Sequence, residues 1–389
     1  MKSNYESLGK HIRLVDYRNS EEVTSTVLGI SIDKEFMPSV ANVIGTDLSR
    51  YKLISKGLFA CNPMHVGRDE RLPIALYENE EPAIVSPAYF MFEIIDRMVL
   101  NEEYLMMWFR RPEFDRECWF MTDGSVRGGI TWDDLCRIQL PVPPYERQLD
   151  VVESYRAITR RIAMKKKIND NLEATAQAVF QEQFASFYGA DELPDGYRII
   201  NLDNLCTVKG GKRLPADCKL LDTPTDHPYI RVRDVGSNRY VCLTNQFQYI
   251  DEETYSAISR YIVNTGDIVI SIVGTIGLLG KIHSSLDKAN LTENCVKLAN
   301  IHTVTSDYLY YTLCYKKQIK EIDLLTVGAV QAKLPMYNIQ SMKILVPPTK
   351  AIEAFQRKMN VLNEQIEANT VEIQKLYELE EVLLAKLSD

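Results

Sequence analysis

The 389-residue chain has little of what marks a secreted, membrane-bound or self-sufficient catalytic protein. No apolar run approaches the ~20 residues that a helix needs to cross a bilayer. The opening Met1-Lys2-Ser3-Asn4-Tyr5-Glu6 leads into no apolar segment of the secretory kind, so a cytoplasmic protein is expected. Eight cysteines (61, 118, 136, 206, 218, 242, 295, 314) are scattered without a Cys-x-x-Cys pair. Isolated reduced thiols are expected, and neither a disulfide framework nor a structural zinc. Five histidines (11, 65, 227, 283, 302) show no metal-ligand spacing. There is no Gly-x-x-x-x-Gly-Lys-Ser/Thr phosphate loop, which argues against a motor ATPase. Gly274-Thr275-Ile276-Gly277 is too short for a dinucleotide fingerprint and reads as a turn after a strand. No serine or cysteine stands in a recognisable nucleophile context. The nearest approach to the Asp/Asn-Pro-Pro-Tyr/Phe motif of adenine methyltransferases is Asn62-Pro63-Met64-His65, which lacks the second proline and the stacking aromatic. Pro143-Pro144-Tyr145 follows Val142 rather than an Asp or Asn. The chain reads as non-catalytic.

What is present is ordinary for a folded protein of two or three domains: 46% hydrophobic, 25% charged and 9% aromatic residues. The net charge of −8 is unevenly spread: −6 over 1–144, −2 over 145–195, +3 over 196–348 and −3 over 349–389. One basic segment inside an acidic chain points only weakly to phosphate, because binding needs a local basic face rather than a basic total.

The chain repeats itself. Gly124 to Pro144 lies on Gly328 to Pro348 at a constant offset of 204, without a gap. Gly124/Gly328, Val126/Val330, Val142/Val346, Pro143/Pro347 and Pro144/Pro348 are identical. Ile130/Leu334, Trp132/Met336, Leu135/Ile339, Ile138/Met342 and Leu140/Ile344 keep apolar character. Each Val-Pro-Pro is followed by a long charged stretch almost free of Gly and Pro, as expected of a helix whose first turn tolerates proline. The organisation reads as a globular unit (1–144), a helix (145–187), a second globular unit (188–348, with a linker at 188–196) and a C-terminal helix (349–389).

In the last stretch Ile352, Phe355, Met359, Leu362, Ile366, Ile373, Leu376, Leu383 and Leu387 are spaced alternately three and four apart, with Asn369 and Glu380 in the vacant places. This is a coiled-coil seam. Val151, Tyr155, Ile158, Ile162, Leu172, Ala176 and Val179 form its counterpart, with Lys165 and Asn169 at weaker positions. An antiparallel pairing with Asn169 opposite Asn369 sets Leu172 on Ile366, Ala176 on Leu362, Val179 on Met359, Ile162 on Leu376 and Tyr155 on Leu383. A polar pair in the seam costs stability but fixes register. The alternative is that each helix packs only on its own globular unit. Within the units, 229–235, 267–273 and 57–62 read as strands, and 307–320 and 101–109 as helices.

The sequence resembles the specificity subunits of type I restriction–modification systems. The resemblance is carried by Pro228-Tyr229-Ile230-Arg231-Val232-Arg233-Asp234-Val235, by Gly266-Asp267-Ile268-Val269-Ile270-Ser271 with Gly274-Thr275-Ile276-Gly277, and by Asp307-Tyr308-Leu309-Tyr310-Tyr311. The Val-Pro-Pro closures and Asn171-Leu172-Glu173-Ala174-Thr175-Ala176-Gln177-Ala178-Val179-Phe180, which looks like the family's central helix, add to it. The first unit departs from the pattern, with Pro63-Met64-His65-Val66-Gly67-Arg68 where a Gly-containing strand end is expected. The resemblance implies tandem α/β (α+β) target recognition domains, separated by two long antiparallel coiled-coil helices and related by a pseudo-two-fold repeat. Each domain would read half of a bipartite double-stranded DNA site. The helices would set the gap between half-sites and dock two methyltransferase subunits, and restriction/translocase subunits where present. S-adenosylmethionine would be bound by the methyltransferase partners, and no cofactor by this chain.

Arg and Lys neutralise phosphates, and Arg can pair with guanine through two hydrogen bonds. Those in loops beside glycine are the candidate DNA contacts: Lys209, Lys212 and Arg213 flanking Gly210-Gly211, then Arg231, Arg233, Gln331 and Lys333. In the first unit they are Arg13, Arg18, Arg68, Arg71 and Arg127, the last beside Gly128-Gly129. Lys165-Lys166-Lys167 is expected to be a solvated helix face. Two other readings remain: the specificity subunit of a type IIB-like system that cleaves on both sides of its site, and a coiled-coil scaffold whose duplicated domains bind protein.

Overall fold

The computed structural model describes residues 5–39, 45–64, 66–122, 128–188, 190, 192–236, 239–244, 247–328 and 332–388, with the backbone alone at Arg68 and Ser388. The chain forms two compact units, Met1–Ala163 with Lys375–Asp389, and Met164–Gln374. This division differs from a boundary at each helix end. The first long helix, Tyr145–Phe184, and the second, Thr349–Ala385, each contribute to both units. The reason is burial. Val152 and Tyr155 join Leu384 and Leu387 in the core of the first unit. Ala176, Phe180 and Phe184 join Ile352, Phe355 and Met359 in the core of the second.

Among the described residues, the first unit holds a four-stranded antiparallel sheet in the order Ile12–Leu14, Phe90–Ile94, Phe59–Cys61, Ile74–Leu76. A second sheet runs Phe36–Pro38, Val27–Ile30, Ala83–Val85, Lys52–Ile54. Tyr5–Ser7 pairs with Gln139–Pro141, the strand that leads into the first long helix. Two short helices, Glu102–Phe109 and Pro112–Phe120, cover the sheet, and Phe59, Phe92 and Phe109 meet in the core between them. The Asn101 carboxamide starts the first of these by accepting from the Glu103 and Tyr104 amides at 3.0 and 3.1 Å, and Pro112 suits the first turn of the second.

The second unit repeats this plan with one strand more in its main sheet and one fewer in its smaller sheet. Its main sheet runs Thr207–Gly210, Cys295–Ala299, Ile268–Ser271, Leu279–Ile282, then Tyr240–Val241, a parallel fifth strand with no counterpart among the described residues of the first unit. Gln248–Tyr249, Pro228–Ile230 and Asn290–Leu291 form a smaller sheet. Arg198–Asn201 pairs with Lys343–Val346 ahead of the second long helix.

Two local expectations are corrected. The stretch 229–235 is a strand only at Pro228–Ile230, followed by a 3-10 turn at Val232–Asp234, because the Asp234 carboxylate accepts from the Arg231 amide at 2.8 Å and closes the chain on itself. The stretch 307–320 is two helices, Ser306–Leu313 and Lys316–Leu325. Tyr315 is extended between them, its ring against Phe180 and Tyr188.

The long helices pair antiparallel. In the second unit the Asn369 Nδ2 donates to Asn169 Oδ1 at 2.8 Å, and Lys165 Nζ donates to Asn369 Oδ1 at 2.9 Å while pairing with Glu372 at 2.8 Å. Asn369 is 1% exposed. The buried face is wider than the predicted seam: Val152 rather than Val151, and Leu384 rather than Leu383, are buried, and Phe180 and Phe184 are added. The helices therefore both pair with each other and pack on the globular cores, so the two readings of the heptads are not exclusive. Among the described residues no helix is long and apolar enough to cross a membrane.

Candidate nucleic-acid interface

In the second unit the candidate cations come from three stretches of sequence and converge on one short segment, 291–295. The Gly211 and Lys212 amides donate to the Cys295 and Leu291 carbonyls at 3.0 and 2.8 Å. The Thr292 amide donates to Ile230 at 3.0 Å, which brings the Arg231–Asp234 turn alongside. The Ile272 amide donates to Asn294 at 2.8 Å, and the Leu334 amide to Ile272 at 3.0 Å, which adds the stretch carrying Lys333.

Of the two glycines, Gly211 serves this assembly. A Cβ on Gly211 would stand 2.0 Å from the Thr292 carbonyl oxygen and 2.3 Å from that of Leu291, whereas Gly210 has open space. The first unit uses the same device at Gly129, whose Cβ would meet the Pro63 oxygen at 2.8 Å. Pro63 also accepts from the Ile130 amide at 3.1 Å, so Asn62-Pro63 has a structural task.

Each candidate has a definite setting. Arg213 pairs with Glu293 at 2.7 Å and keeps 81% of its side chain exposed. Burial pushes the Glu293 carboxyl up, but the Arg213 guanidinium, a backbone amide and the Thr292 hydroxyl together outweigh this and hold it below its ordinary value. Lys212 is exposed, with its ammonium 5.8 Å from the Tyr261 ring centre. Lys209 is exposed on its strand. Arg233 lies 3.8 Å from Asp234 and is 65% exposed. Arg231 is different: its guanidinium forks onto Asp234 at 2.8 and 2.9 Å and also reaches Gln248, so it builds the turn instead of facing outward. Lys333 is exposed, and its backbone exchanges two 2.8 Å hydrogen bonds with Val327. Gln331 lies outside the described residues.

In the first unit Arg13 pairs with Glu93 at 2.7 Å and is 63% exposed, a setting like that of Arg213. Arg18 donates to the Arg50 carbonyl at 2.7 Å and to Asp16 at 2.8 Å, and its guanidinium holds the Asp16 carboxyl below its ordinary value. Arg71 reaches Asp33 at 3.3 Å. Arg68 sits in the single turn Val66–Asp69, its side chain outside the description, and Arg127 lies outside the described residues.

Sequence reasoning missed a buried polar cluster centred on Asp307. Its Oδ1 accepts from Lys281 at 2.7 Å and from the Arg239 guanidinium, and its Oδ2 from Gln356 and Asn363 at 2.6 and 2.7 Å. Arg239 also donates to the Tyr311 hydroxyl at 2.9 Å and to Asn363, and Tyr311 donates to Glu173 at 3.0 Å. Burial opposes ionisation of Asp307, but Lys281 and Arg239 overcome it and bring the pKa down to about 2. For Glu173 burial prevails over Arg239, and its pKa is raised. Asp307 and Tyr311 belong to a motif visible in the sequence, but Arg239, Lys281, Gln356 and Asn363 carry no spacing that would announce them.

These features accord with known proteins. Residues 194–382 match the family model for the type I restriction modification DNA specificity domain. The chain is 22% identical over 314 residues to the type I restriction enzyme MjaIX specificity subunit of Methanocaldococcus jannaschii, covering 76% of this chain and 70% of that one. It is 20% identical over 449 residues to the HindI specificity subunit of Haemophilus influenzae, covering 96% and 95%. The crystal structure of the type I restriction–modification S subunit from M. genitalium, 13% identical, shares the fold with a TM-score of 0.51 over 98% of this chain and 95% of that one. Residues 194–382 thus carry the DNA specificity domain of type I restriction–modification systems, and with its duplicated α/β units and paired helices the whole chain is similar to the specificity subunits of those systems.

Proposed function

We propose that this chain reads one bipartite duplex target, each globular unit taking one half-site, and presents its long helices to two methyltransferase subunits. Those partners bind S-adenosylmethionine and transfer the methyl group to adenine, while this chain binds no cofactor. A translocating endonuclease joins where the system has one, and the complex works in the cytoplasm. The observation that carries the reading is duplication: the same order of four strands in the main sheet, the same two covering helices and the same strand leading into a long helix occur twice. A reader built twice suits a site with two separated halves. Outward cations such as Arg13 and Arg213, each held by a glutamate, are suited to phosphate or guanine. Both helices also carry apolar side chains facing water, among them Met164 at 65% and Val361 at 68% exposure, as a docking surface requires.

The test is to map methylated adenines in a host with and without this chain, its methyltransferase partner being present in both. Loss of one bipartite motif, all others remaining, is the expected result. An unchanged methylation map would overturn the reading.

A further inference from the structure

Five elements of the second unit meet at Asp307, which stands on the helix Ser306–Leu313. Lys281 comes from the fourth strand of the main sheet, and Arg239 from the residue before the added fifth strand. Glu173 comes from the first long helix, and Gln356 and Asn363 from the second. The Asp307 side chain is 4% exposed and that of Arg239 1%. Both oxygens of the carboxylate are therefore committed, one to the sheet and one to the second long helix.

We propose that Asp307 is a positioning residue that fixes the angle at which the second recognition domain sits on its helices, and thereby makes the protein discriminate between spacer lengths in its target. The inference rests on the bipartite reading above. Apolar contacts are non-directional, so packing alone specifies the tilt of a sheet on a helix less sharply than a hydrogen-bonded charge does. A buried carboxylate shared by an ammonium, a guanidinium and two carboxamides is satisfied in one geometry, because any tilt strands a charge away from water. Angle matters to the reader, because one base pair displaces a half-site by about 3.4 Å along the duplex and turns it by about 35°.

Gln356→Ala combined with Asn363→Ala cuts the helix side of this lock while Lys281 and Arg239 still neutralise Asp307. Asp307→Asn is the second variant. The full chain, assembled with its methyltransferase partner, is titrated with duplexes carrying the two half-sites mapped in the host, at the native spacer and at one base pair shorter and longer. The intact protein should prefer the native spacer at least tenfold. The double variant should lower that ratio at least threefold while keeping its affinity for the native duplex within threefold, an effect that loss of stability alone would not produce. An unchanged ratio in both variants, or weakening at all spacers alike, overturns the proposal and leaves the bipartite reading standing. An intact protein without spacer preference overturns the reading itself, and this inference with it.

Discussion

Glu103 and Asp307 hold the same place in the two copies, each the second residue of the first covering helix, yet they are used in opposite ways. Glu103 pairs with Arg156 of the first long helix at the surface, the two side chains 28% and 48% exposed. Beside them Arg110 donates to the Tyr155 hydroxyl at 2.7 Å, and a cleft of about 600 Å³ stands open, lined by Glu103, Arg110, Tyr155 and Arg156. Around Asp307 the added fifth strand brings in Arg239, and the charges are sealed from water. At this one corresponding place the first unit meets its helix through an ion pair open to water and the second through a buried network. Similar backbones thus support polar contacts of very different burial at equivalent positions.

The sharpest way to break that comparison is to remove the two carboxylates in turn. Asp307→Ala leaves Lys281 buried without its counter-ion and Arg239 with only Glu173 at 3.7 Å, and should destabilise the second unit by about 3–5 kcal/mol. Glu103→Ala should cost the first unit no more than about 1 kcal/mol. Hydrogen exchange resolved by unit measures both, and equal losses would refute the contrast. Next come the glycines: Gly211→Ala should cost about 1–3 kcal/mol by pushing against the Thr292 carbonyl, whereas Gly210→Ala should stay within about 0.5 kcal/mol, as read from thermal unfolding. Tyr155→Phe, which takes a hydrogen-bond partner from Arg110 at the rim of the open cleft, should cost about 0.5–1.5 kcal/mol in urea unfolding.

The last effect is read in acid. The Asp307 pKa is about 2 in the folded chain, below the ~3.9 of an unfolded aspartate, so its ionisation stabilises the fold fully above about pH 4. That contribution fades as pH falls through 2. The stability difference between the intact chain and Asp307→Asn should therefore be flat from pH 7 to about 4 and shrink below it. A difference that grew on acidification would contradict the assigned charge state.

The long helices were legible in the sequence because their signal is periodic and local. The three-four spacing marks the seam, and Pro144 and Pro348 mark its entry. Asn169 and Asn369 stood out as polar residues in an apolar row, and the structure hydrogen-bonds them at 2.8 Å. The strand at 229–235 was overextended because β-branched residues favour strand while the Asp234 carboxylate competes for the backbone. Among the candidate cations, sequence could supply charge and a neighbouring glycine but not partners. Arg231 and Arg213 look alike in the chain, yet one is spent on Asp234 and the other stands 81% exposed.

The sequence by itself determined the duplication, the two helices and their polar register, because each is written in spacing along the chain. Only the tertiary structure decided which charges face outward, why Gly211 must be glycine, and that Asp307 gathers Lys281, Arg239, Gln356 and Asn363 from distant segments. Such contacts depend on how a sheet is laid on a pair of helices, and no periodicity in the chain encodes that.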